Sequence, residues 1–86
     1  MYDYKEQKKV VFTEEGQKMF LAIRDNVKRL IKEAGAVDME HAIATEAGGD
    51  SWERMACVDR LVELKEIREI PRETYVAAQY KVFIIA

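Results

Sequence analysis

Between Thr13 and Gly35 the apolar residues Met19, Phe20, Ile23, Val27, Leu30, Ile31 and Ala34 return every three or four positions. That spacing puts them on one side of a helix and does not fit the two-residue alternation of a strand. Thr13 has the side-chain oxygen an N-cap needs, and Glu14 and Glu15 place negative charge against the positive end of the peptide dipoles. Lys28, Arg29 and Lys32 fall in the last turns, and Gly35 supplies the left-handed residue that ends a helix. A helix this long with one apolar stripe must be covered, so the rest of the chain is read as its cover.

Upstream, residues 1–9 are polar and mixed in charge and read as a loosely held arm, with Val10, Val11 and Phe12 as a short apolar step. Downstream, Ala36 and Val37 are enough for a short strand, and Asp38 caps a second helix expected to run to about Ala47. Gly48 and Gly49 break it. Asp50 and Glu53 stand three apart at the head of a third helix, a reciprocal capping pattern, and Met55, Val58, Leu61 and Val62 share one side of it. Glu53, Cys57, Arg60 and Glu63 are assigned to the other side, and Trp52 to the flank. From Glu66 the period changes: Ile67 and Ile70 bracket Arg68 and Glu69, Pro71 ends the run, and Tyr80 to Ile85 form a second β-rich run after a long connection.

The chain has 86 residues, 49% hydrophobic and 35% charged, with a formal net charge of -2. One domain with a real core is expected, divided into an arm of residues 1–12 and a folded unit of residues 13–86. Nothing in that balance offers the positive field of a general nucleic-acid or acidic-membrane binder. A single cysteine, Cys57, excludes an internal disulfide framework and a multi-cysteine zinc site. With no apolar run long enough for a membrane span and no signal-peptide core, a cytoplasmic location is expected.

The order helix, short strand, helix, tight turn, helix and long-tipped hairpin resembles the winged helix-turn-helix domain. The carrying segments are residues 35–38, GGDSWERMACVDRLVELKEIREI at 48–70, and QYKVFII at 79–85. The resemblance rests on order and pattern, and Lys65 stands where many such domains have glycine. It implies an α+β fold, a three-helix bundle with a C-terminal β-hairpin and a short strand before the second helix. It also implies a transcription-regulator-like role, with the third helix in a DNA major groove and the wing on the backbone. The groove-facing positions would then be Ser51, Glu53, Arg54, Ala56, Cys57, Arg60 and Glu63.

Charge does not favour that role. Between Ser51 and Leu64, Arg54 and Arg60 face Glu53, Asp59 and Glu63, whereas phosphate contact is built from several cations. The binding residues expected for DNA or a protein partner are therefore Ser51, Arg54 and Arg60 on the third helix, Arg68, Arg72 and Lys81 on the wing, and Lys28 and Lys32 on the first helix. DNA binding and protein–protein recognition without DNA both remain open from the sequence. No enzymatic activity, cofactor or metal is expected: Cys57 sits mid-helix, and His41 is the sole histidine. Trp52, Tyr75 and Tyr80 are read as packing residues before a stacking surface. Val82 to Ile85 is apolar on both faces, so residues 10–12 or a second copy in a homodimer would have to cover one of them.

Overall fold

The computed structural model describes every residue of the chain except Ala47, Glu73 and Tyr75. Helix α1 spans Tyr4–Val11 and is capped by Asp3, whose carboxylate accepts from the Lys5 amide at 2.9 Å. A one-step corner at Phe12 and Thr13 leads into α2, Glu14–Ala34. Thr13 Oγ1 works in both directions there, accepting from the Gly16 amide at 3.0 Å and donating to the Val10 carbonyl at 2.7 Å. The expected stripe of α2 is buried at Met19, Phe20, Ile23, Val27 and Ile31, and the helix ends at Gly35 with φ 85°. This helix forms as its spacing and caps dictate.

Strand β1, Val37–Asp38, is followed at once by α3, Met39–Ala42, with Asp38 accepting from the His41 amide at 2.8 Å. The second helix is shorter than the sequence suggests, and Ala47, its expected end, lies outside the described residues. Its carbonyls are claimed from outside: Asn26 Nδ2 on α2 donates to both His41 O and Ala42 O at 3.0 Å. Those acceptors would otherwise continue the ladder. The chain leaves through tight turns, with the Ala44 amide on His41 O and the Thr45 amide on Ile43 O.

Helix α4, Ser51–Glu63, begins with the predicted capping box, Asp50 and Glu53 each accepting from the other's amide. Lys65 then takes φ 61°, a left-handed conformation in which an L side chain crowds its own carbonyl. This is the position where the resembled domains carry glycine. Lys65→Gly should raise the stability by about 0.5–1 kcal/mol, since glycine adopts this conformation at no steric cost and the exposed lysine side chain makes no ion pair among the described residues. Thermal melting followed by circular dichroism checks it.

Strands β2, Ile67–Glu69, and β3, Val82–Ile85, pair antiparallel, joined by a connection that includes a 3-10 turn at Ala78–Tyr80. Tyr80 therefore precedes the strand. Strand β3 is central, in the order β1-β3-β2, with Val37 opposite Phe83 and Glu69 opposite Phe83 on its two sides. The inner face of this sheet, Val37, Ile67 and Phe83, joins Ile23, Val27, Met39, Val58 and Leu61 in one buried cluster. Residues 10–12 belong to the α1–α2 corner and not to the sheet, so Val82 and Ile84 on the outer side stay half-buried. The result is an α+β fold of four helices and a small three-stranded antiparallel sheet. Among the described residues, no helix is long and apolar enough to cross a membrane.

Candidate recognition surface

The expected arm is a docked helix, and it docks on α4. At 100° per residue, Ala56 and Val58 lie on nearly opposite sides of α4, yet both are fully buried, as is Cys57 between them. Val58, Leu61 and Met55 face the core formed with α2 and the sheet. The Ala56 side, which the resemblance would turn toward a groove, faces α1. Cys57, assigned to the side away from the apolar stripe, lies at the boundary of the two buried faces, and burial pushes its thiol up to about 11.

Residues on both flanks fasten this seam. Tyr2 Oη donates to Asp59 Oδ2 at 2.5 Å, and Tyr4 Oη donates to Glu63 Oε1 at 2.9 Å. Lys8 Nζ reaches Glu63 Oε2 at 2.7 Å, Arg60 reaches Glu63 Oε1 at 2.6 Å, and the Arg60 guanidinium lies 5.0 Å over the Phe12 ring. Val11 is the buried apolar anchor of α1. The hydrogen bonds from Tyr2, Tyr4 and Lys8 span 55 to 59 residues of sequence, which explains why local pattern gave no warning of them.

The two seam carboxylates respond to their settings in opposite directions. The Lys8 ammonium, with Arg60 and the Tyr4 hydroxyl, holds the Glu63 carboxyl down at about 2, whereas desolvation raises Asp59 above its ordinary value despite the Tyr2 hydrogen bond. Below its usual 4.5, Glu63 is protonated in the unfolded chain before the folded one, so its contribution is present above that pH and lost as pH falls toward about 2. Asp59 works the other way, binding its proton first in the folded chain, so acid relieves a cost there. Glu63→Gln should therefore lose less stability than the parent between about pH 6 and pH 3, read from urea midpoints.

The eight sequence-predicted binding residues do not converge as free cations. Arg60 is held by Glu63, Lys28 by Glu66 at 2.7 Å, and Lys81 by Glu69 at 3.6 Å. Arg54 donates to the backbone carbonyls of Gly48 and Ile43, both at 3.3 Å, and so ties the loop before α4 to that helix. Ser51 is exposed at the first turn of α4. Lys32, Arg68 and Arg72 are exposed and have no carboxylate partner among the described residues.

His41 is exposed, with Nδ1 2.7 Å from Asp38 Oδ1, an arrangement that raises its pKa and serves the cap of α3. No group of three or more His, Cys, Asp or Glu side chains that could hold a metal ion occurs among the described residues. Tyr75 lies outside the described residues, but the other two aromatic candidates are both at the surface, Trp52 42% and Tyr80 63% exposed. They line one cleft of about 380 Å³ between α3, the first turn of α4 and the 3-10 turn. The Tyr2 ring backs Trp52 edge-on, with centroids 6.5 Å apart and planes at 68°. No protein-family model, curated protein or solved structure matches the chain.

Proposed function

We propose that this chain is a non-enzymatic winged-helix module that recognises another protein. The fold assignment draws support from the element order and from the central placement of β3 between β1 and β2. One observation carries the choice of partner: α1 lies over the side of α4 that a groove-reading helix needs open, leaving Ala56 fully buried. The paired state of Arg60, Lys28 and Lys81 agrees with it. Each phosphate contact requires a cation able to displace condensed counterions, and a cation already bonded to a carboxylate contributes little.

The second reading, DNA binding, has Lys32, Arg68 and Arg72 in its favour, since none has a carboxylate partner among the described residues. Fluorescence anisotropy of a labelled random duplex at two salt concentrations separates the two. Protein recognition predicts no association at low salt; association that weakens steeply with salt overturns it and establishes the DNA reading. Self-association belongs to the same proposal, with the half-buried Val82 and Ile84 on the outer face of the sheet available to a second copy.

A further inference from the structure

We propose that the Trp52–Tyr80 cleft takes an arginine or lysine side chain carried on an extended apolar segment of the partner protein. The inference rests on the protein-recognition reading above and adds the chemistry of the partner. The cleft is apolar below, with Met39 and Met55 buried in its floor, and aromatic at its rim, with Trp52 and Tyr80 exposed. Among the described residues its one charged lining residue is Glu40, and no lysine or arginine lines it.

Charge complementarity selects the occupant. The carboxylates of Asp25, Glu63, Glu66 and Glu69 are each joined to a cation of the chain, whereas Glu6, Glu14, Glu40 and Glu46 have no ion pair among the described residues. Of these four, Glu40 lines the same cleft as the exposed Trp52 and Tyr80. A guanidinium or ammonium group is attracted to the faces of Trp and Tyr as well as to a carboxylate, so the same position satisfies both. Methionine is unbranched and adapts to an irregular apolar segment beneath. An acidic occupant would meet the Glu40 carboxylate in a cleft that no lysine or arginine lines among the described residues. Tyr2, just ahead of α1 and fixed by Asp59, braces the indole from behind and so positions one wall of the cleft.

Trp52 is the only tryptophan in the chain, so its emission reports on the surroundings of this one side chain, and Glu40→Gln and Tyr80→Ala assign a response to this cleft rather than to the hollow on the Tyr2 side. The experiment titrates the full chain with acetyl-Leu-Arg-Leu-amide and, in parallel, with acetyl-Leu-Glu-Leu-amide. A saturable emission change with the first and none with the second is expected. Glu40→Gln and Tyr80→Ala, both at exposed positions, should each weaken the arginine peptide by about fivefold while leaving the urea midpoint unchanged. No saturable response, an equal response to both peptides, or unaltered affinity in Glu40→Gln overturns the proposal. So does emission that changes with protein concentration alone, which would place a second copy in the cleft. A silent titration together with absent duplex binding removes the cleft and leaves protein recognition standing, whereas salt-sensitive duplex binding removes protein recognition itself.

Discussion

Gly16→Ala is expected to destabilise the chain by about 3 kcal/mol, although it replaces glycine with the best helix former inside a 21-residue helix. An alanine Cβ at this position would lie 1.8 Å from the Val10 carbonyl oxygen, 2.7 Å from its carbon and 2.9 Å from Val11 Cα. All three are backbone atoms, so no side chain can swing aside. The α1–α2 corner would have to open, displacing Val11 from the core and breaking the Thr13 Oγ1 bonds to Val10 O and the Gly16 amide. Gln17 Nε2, which donates to Val11 O at 2.6 Å, would lose its acceptor as well. Urea unfolding by circular dichroism checks the loss. A gain in stability, as helix propensity alone predicts, would show that α1 does not turn back onto α2.

Phe83→Ala is expected to cost about 4 kcal/mol, the larger of the two effects. Phe83 is 1% exposed and stands in the central strand, opposite Val37 on one side and Glu69 on the other. Truncating it removes the largest fully buried side chain and leaves a cavity between the sheet and the α2–α4 layer. The surrounding strands are two to four residues long and have little else to hold them together. A domain of this size is stable by roughly 5–10 kcal/mol, so the variant should sit near its unfolding midpoint in mild urea.

The sequence reading succeeded where information is local. The stripe of α2, its Thr13 and Gly35 caps and the Asp50–Glu53 box all depend on neighbours a few positions apart, and the β2–β3 pair was readable from the local β-rich pattern of each run. It failed where partners are distant. Helix α1 fully buries only Val11 and is mostly polar up to Lys9, so its pattern resembles a solvated arm; its order comes from Asp59, Arg60 and Glu63, more than forty residues away. The early end of α3 depends on Asn26, whose side chain reaches across from another helix. The resemblance turned Ala56 toward a groove, and the pattern gave α4 one apolar side; covered by α1 as well, it has two.

The candidate site was readable to a similar extent. The unfavourable charge of α4 was visible in its composition, and Lys32, Arg68 and Arg72, which have no carboxylate partner among the described residues, were among the residues named. The cleft beside Trp52 was not visible, because its walls come from residues 39–43, 51–55 and 79–80, and only folding brings them together.

The stability of Ala56→Lys tests the position of α1 most directly. A lysine on an open helix face changes stability by at most about 0.5 kcal/mol, and its charge would suit the neighbouring Asp59 and Glu63. Under a docked α1 the same side chain has no room and no water, so a loss of about 2–3 kcal/mol in urea unfolding is expected. A change within about 0.5 kcal/mol would mean that this face of α4 is open, and would return the third helix to the role of a groove reader.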